Sequence, residues 1–214
     1  MKRILATALS VIMIMGVLTG CGKEFDASGY VKACLDANVH GEFAEYAKIT
    51  GTEESELQSR HDEIIDQEMA ALDSLPMDEQ KKNDFRELFM KLYDSCKYEV
   101  GEAVKNEDGT YTVPVTVYQL KAFKTLIQDG QTYIQEYYQT QAEAGNELSQ
   151  DDLYAAMTDY IYDGLNANVS NPEYGDANTI DVTVGPSAAN SRIYEIKSEE
   201  LQNLLYSMTD AADQ

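Results

Sequence analysis

The spacing of hydrophobic side chains predicts helices in the first part of the chain. Between residues 27 and 38, and again between 43 and 49, apolar positions recur three or four residues apart, as on one face of an α-helix. A longer stripe continues to about residue 74 and consists of Leu57, His61, Ile64, Ile65, Glu68 and Leu72. Pro76 breaks it, because proline removes a helical N–H. The clearest amphipathic pattern follows in Phe85, Leu88, Phe89, Leu92 and Tyr93.

The hydrophobic period then changes to two, which is typical of strands. Tyr98, Val100 and Val104 predict one strand, and the alternation over residues 111–117 predicts a stronger one after a turn at 106–109. The two strands are expected to form an antiparallel hairpin. Pro114 lies within the second strand. Because proline has no N–H, we expect it at an edge, at a bulge or at a position without a ladder bond.

Helices and strands occur in blocks along the rest of the chain. Helical spacing returns over residues 122–145 and 151–165, and Ser149 with Asp152 fits a capping box. Residues 171–175 predict a loop. Residues 180–184 and 193–196 predict two further strands that form a second hairpin, and residues 198–208 predict a last helix. This order favours an α+β fold, with helices packed on a small antiparallel sheet of three to four strands. No linker interrupts residues 27–214, so we expect a single α+β domain there, with a division near Gln119 as the alternative.

The first 20 residues have the pattern of a lipoprotein signal peptide. Lys2 and Arg3 precede an apolar run over residues 4–17, which is too short for a comfortable membrane span. Leu18-Thr19-Gly20-Cys21 follows, and the thiol of Cys21 would accept a diacylglyceryl group before cleavage. We therefore expect a mature chain that starts at Cys21 and has a lipidated tether over residues 21–26. Such an anchor places it on the extracytoplasmic face of the cell membrane.

Charge excludes some partners. The chain has 38 acidic and 16 basic residues, for a formal net charge of −22. Removal of Lys2 and Arg3 with the signal would change −22 to −24. Nucleic acid is not expected as a partner, because binding it needs a basic surface. Between Thr125 and Ser191 eleven acids occur without any Lys or Arg, which indicates a solvated acidic face or a surface that attracts cations or a basic partner.

Candidate chemistry is sparse. Cys34 and Cys96 form either a disulfide, as an even pair in an exported protein can, or two buried free thiols on apolar helix faces. The two histidines are His40 and His61, and no metal-binding motif accompanies them, so no metal or cofactor is predicted. We interpret His61 as a partly buried, hydrogen-bonded side chain. No phosphate-binding loop or nucleophile motif occurs, so no catalytic residue is assigned.

Tyrosine is abundant, with 15 Tyr, 5 Phe and no Trp. Spacing places Tyr133, Tyr137, Tyr138 and Tyr160 at the boundary between core and solvent. Tyr154 and Tyr162 fit the apolar stripe less well. These two are therefore candidates for an exposed aromatic contact with a sugar or a protein partner.

Several segments resemble a group of uncharacterised lipoproteins from Gram-positive, mainly clostridial, bacteria. They are the helical block, the Leu18–Cys21 pattern, Lys97–Glu102, Tyr111–Tyr118, Asn171–Gly175 and Ile180–Val184. The resemblance implies a cystatin-like or NTF2-like fold, in which helices pack on a curved antiparallel sheet. The resemblance also implies the membrane-anchored location of a lipoprotein. It implies no known activity.

Three functional hypotheses follow. The first is a membrane-anchored extracytoplasmic binding or interaction module without catalysis, with a protein or small-molecule ligand. The second is a carboxylate-dependent hydrolase or isomerase, which needs an NTF2-like cavity and a buried acid near tyrosine or His61. The third is a structural subunit of an envelope complex.

Overall fold

The computed structural model describes residues 16–17, 25–70, 72–73, 75–123, 126–188 and 193–211. Cys21 and most of the predicted signal peptide lie outside these residues. The helices described are α1 Ala27–Val39, α2 Ala44–Thr50, α3 Glu54–Ala70, α4 Glu79–Asp94, α5 Leu126–Glu143, α6 Gln150–Ser170 and α7 Ser198–Ser207. The strands described are β1 Gly16–Val17, β2 Lys97–Val100, β3 Val104–Lys105, β4 Tyr111–Leu120, β5 Tyr174–Pro186 and β6 Ile193–Ile196.

Side-chain caps fix where several helices begin. Asp26 accepts a hydrogen bond from the Gly29 amide at the start of α1, and Asp78 accepts one from the Lys81 amide at the start of α4. At α6 the predicted capping box is confirmed, because Ser149 and Asp152 each accept from the backbone N–H of the other. These bonds satisfy amides that a helix start otherwise leaves without partners.

The strands form an antiparallel sheet in the order β1-β6-β5-β4-β2, and β3 pairs with β4 beside β2. Both predicted hairpins are confirmed, β2 with β4 and β5 with β6. The structure adds β1 to the strands predicted, and it divides the first predicted strand, Tyr98 to Val104, into β2 and β3. It also starts β5 at Tyr174, within the segment predicted as a loop. Residues 177–179 give no alternating apolar signal, yet they pair with residues 116–118 of β4.

One face of the sheet carries the core. Along β4, Tyr111, Val113, Val115 and Val117 are buried, while the residues between them stay partly exposed. Helices α1 and α7 contact the sheet and contribute apolar side chains such as Leu35 and Leu204, both fully buried. The alternation read from the sequence thus marks the face that the helices cover.

A bulge separates β2 from β3. Val100 lies opposite Val115 and Val104 opposite Thr112, so one strand has an extra residue. The Gly101 amide donates to the Pro114 carbonyl at 2.8 Å, but Pro114 has no N–H to return the bond. Ser28 of α1 replaces it: its hydroxyl donates to the Gly101 carbonyl at 2.9 Å and accepts from the Ala103 amide at 2.8 Å. The prediction for Pro114 is confirmed.

Helices α5 and α6 pack together as a hairpin. The Tyr133 ring stacks on Tyr160, with centroids 4.6 Å apart, and on Tyr137 at 6.1 Å. The prediction for Tyr138 is wrong, because its side chain is 54% exposed. Tyr137 and Tyr138 are neighbours, and only the former lies toward the stacked rings.

Among the described helices, none combines the length and apolar character that a membrane span needs.

Candidate functional site

A cleft of about 480 Å³ lies at the β2 edge of the sheet, and we call it the edge cleft. Its lining comes from the end of α1, from β2 and from the ends of β4 and β5 that lie nearest β2. The lining residues are His40, Cys96, Lys97, Tyr98, Glu99, Tyr118 and Tyr174. Three tyrosine rings, a histidine ring and two opposite charges therefore surround one space.

Tyr98 connects β2 to α1. Its hydroxyl donates to the Asp36 carboxylate at 2.5 Å, and the His40 ring stacks against its ring with centroids 5.5 Å apart. Burial, followed by the hydrogen bond and charge of Asp36, raises the pKa of Tyr98 well above its ordinary range. The phenol therefore stays protonated and rigidly held, as part of the wall of the cleft.

The remaining rings are held by similar contacts. Tyr118 donates to Glu99 at 3.0 Å across the β2–β4 pair, and this bond raises the pKa of Tyr118. The Tyr174 hydroxyl donates to the Ser95 carbonyl at 2.7 Å. The Lys97 ammonium lies 4.0 Å from the centre of the Tyr174 ring, within cation–π distance. Each ring thus has a fixed position, which suits recognition of a ligand more than movement of protons.

Cys34 and Cys96 are free thiols in the structure, which matches the second of the two alternatives and not the disulfide. Both thiols are buried, and burial raises the pKa of each to about 12. Cys34 contacts the Asn38 amide, and the Cys96 thiol donates to the Leu92 carbonyl at 3.5 Å. Cys96 borders the edge cleft. Because its thiol stays protonated, it is a poor nucleophile there.

The two tyrosines predicted as exposed contacts differ. Tyr154 is 39% exposed, and its hydroxyl accepts a bond from Gln150. Tyr162 is partly buried against the core: its ring meets Phe85 edge-on at 5.2 Å and lies 4.5 Å from the Lys81 ammonium. The expectation for Tyr162 is wrong, because helix α4 packs on that side of α6. Neither residue borders the edge cleft.

A buried acid lies beside a tyrosine elsewhere in the helices. The Tyr93 hydroxyl donates to both carboxylate oxygens of Glu68, at 2.7 and 2.9 Å, and both side chains are buried. Such an acid is one requirement of the enzyme hypothesis, but neither residue lines the edge cleft. Within the described ranges, no group of three His, Cys, Asp or Glu side chains could hold a metal ion.

Sequence reasoning missed the edge cleft. Its residues are spread from position 40 to position 174, and no local motif links them. The one available signal was the predicted β2–β4 hairpin, which brings Glu99 and Tyr118 together across two adjacent strands. The contribution of α1 and β5 depends on tertiary packing.

Comparison with known proteins identifies a fold neighbour. The chain is similar to the crystal structure of YcdA, a candidate lipoprotein of Bacillus subtilis, with a TM-score of 0.57 and 14% sequence identity. The match covers 86% of this chain and 56% of that one, so the chain spans little more than half the length of its neighbour. No protein-family model matches the chain. No curated protein matches it either. The likeness shows that the two proteins share an α+β fold.

Proposed function

We propose that this protein is a lipid-anchored, extracytoplasmic binding module whose ligand site is the edge cleft. The lipid anchor is inferred from the Leu18–Cys21 pattern. Helix α1 begins at Ala27, only six residues after Cys21. The fold likeness to a candidate lipoprotein supports the same location. We retain the clostridial, NTF2-like resemblance and the single domain over residues 27–214 as parts of this proposal. Cleavage before Cys21 would remove β1 and leave β6 as a sheet edge.

The contents of the edge cleft favour binding over catalysis. The cleft offers aromatic faces for stacking and two charged side chains for hydrogen bonding. Its thiol, Cys96, has a pKa raised to about 12 by burial. Its phenols Tyr98 and Tyr118 donate to carboxylates and have raised pKa values, so neither supplies an activated nucleophile at neutral pH.

Cys21→Ala should release the protein from the membrane, because it removes the thiol that accepts the lipid. In a Gram-positive host we expect wild type to partition into detergent, to incorporate labelled palmitate and to begin at Cys21 by mass spectrometry. External protease should digest it on intact protoplasts. Cys21→Ala should lose the label and the detergent partition.

Cys34→Ala is the matched control, since it makes the same change at a buried thiol outside the Leu18–Cys21 pattern. It should keep both label and partition. If Cys21→Ala still carries the label, or if protease cannot reach wild type on protoplasts, the proposed anchor or its face is wrong.

A further inference from the structure

Strand β2 forms one edge of the sheet, and its register decides which backbone groups face outward. The Gly101 amide donates to Pro114, so the pair of Gly101 and Pro114 is a hydrogen-bonded one. In an antiparallel ladder, bonded and non-bonded pairs alternate. Glu99, opposite Thr116, is therefore bonded to β4. The N–H and C=O groups of Tyr98 and Val100 point away from β4, toward the open edge.

These outward groups lie beside the edge cleft. Tyr98 is part of its lining, and the described hydrogen bonds of Tyr98 and Val100 outside the ladder include none to their backbone groups. Lys97 and Glu99 alternate with them along β2 and project from the exposed face of the sheet. They therefore do not obstruct the pairing of a further strand with β2, as inward-pointing charges on an edge strand would.

We propose that the edge cleft binds an extended polypeptide segment, which adds to β2 as a further strand. This inference rests on the proposed binding role and names its ligand class. Tyr98 and Val100 together present two donors and two acceptors, repeated about 7 Å apart along the strand. An extended peptide backbone has the same repeat, so it can bond to all four groups.

Side chains of the cleft would add to the backbone bonds. The stacked rings of His40 and Tyr98 form an aromatic wall at the end of α1. Tyr118 and Glu99 form a hydrogen-bonded pair on the opposite face of the sheet. Because alternate side chains of an added strand point to opposite faces, one would meet the rings and the next would meet the Tyr118–Glu99 pair. The backbone bonds supply affinity, and these two contacts supply sequence preference.

Val100→Pro tests strand addition without removing a ladder bond, because the amide of Val100 points outward. Proline is tolerated on an edge strand where its nitrogen faces solvent. Val100→Ala is the matched control, since it loses the same side chain and keeps the N–H. The full chain, extracted from membranes, is used to select binders from a phage library of random linear dodecapeptides. The best peptide is then synthesised, and circular dichroism verifies that both variants fold.

We expect the selected peptide to bind Val100→Pro about tenfold or more weakly than Val100→Ala, since one backbone bond is lost and the proline ring obstructs the edge. A second series needs no protein variant. N-methylation of the peptide at successive residues should abolish binding at every other position only, because alternate peptide amides face β2. A ligand held by side chains alone would show no period of two.

The outcomes separate this inference from the proposed binding role. If Val100→Pro and N-methylation have no effect but His40→Ala and Tyr118→Ala abolish binding, the cleft binds through side chains and strand addition is wrong. If none of these changes affects binding, both proposals fail. If the library yields no binder, or if wild type dimerises through β2 in light scattering and Val100→Pro does not, a partner peptide is not the occupant.

Discussion

Tyr93→Phe is expected to lower the free energy of unfolding by about 2–3 kcal/mol, since a hydrogen bond to a buried charged group contributes roughly this much. The Tyr93 hydroxyl donates to both oxygens of Glu68, and the two side chains are 7% and 6% exposed. The bonds join α4 to α3. Phenylalanine keeps the ring in the core but withdraws the donor from a carboxylate that water cannot easily reach.

Urea unfolding followed by circular dichroism measures this effect. Tyr118→Phe is the control, because it makes the same chemical change at a phenol that donates to the exposed Glu99. Solvent can replace that bond, so its loss should change stability little. Equal losses in the two variants would show that burial does not strengthen the Tyr93–Glu68 contact.

Stability should fall as the pH drops below about 6.5, and His61 should account for part of the loss. His61 is 4% exposed, its Nδ1 has no hydrogen-bond partner, and the Phe43 ring lies edge-on 5.6 Å away. The expectation of a hydrogen-bonded side chain is therefore wrong for this nitrogen. Burial lowers the pKa of His61; neighbouring Asp62 opposes this shift and Arg86 of α4 adds to it.

The direction in which stability changes with pH follows from proton linkage. Because the pKa of His61 is lower in the folded state, the unfolded chain takes up a proton first as the pH falls. The stability contributed by the neutral ring is therefore complete above about pH 6.5 and is lost as the pH falls through the lower, folded pKa.

His61→Leu should raise stability at pH 7 by about 1 kcal/mol, because it removes a buried polar atom without a partner. It should also reduce the slope of stability against pH below 6.5. Asp62→Asn removes the charge that favours the imidazolium, so it should extend the loss to lower pH. Urea unfolding at several pH values from 5 to 8 measures these slopes, and an unchanged slope in His61→Leu would refute the assignment.

Local patterns predicted most of the secondary structure, because the core covers one face of the sheet and one stripe of each helix. The alternation at Val113, Val115 and Val117 is an example, and all three are buried. The start of β5 could not be predicted in this way. Residues 177–179 are exposed, and their strand conformation comes from pairing with residues 116–118 of β4.

The edge cleft required the tertiary structure. His40 ends α1 and Tyr98 belongs to β2, and they meet only because α1 packs across the sheet. Tyr162 also depends on tertiary structure, since the packing of α4 against α6 covers a ring that spacing alone placed outside the apolar stripe. Spacing along one helix cannot tell which neighbour will cover it.

Residue-resolved amide hydrogen exchange in the intact protein tests the open β2 edge most directly. Exchange is slow for amides in stable hydrogen bonds and fast for those that face solvent. The register predicts slow exchange for Glu99 and Gly101, which bond to β4, and fast exchange for Tyr98 and Val100, which alternate with them along the chain. If Tyr98 and Val100 are protected as strongly as Glu99, the edge is already occupied, and β2 does not offer the ligand site described above.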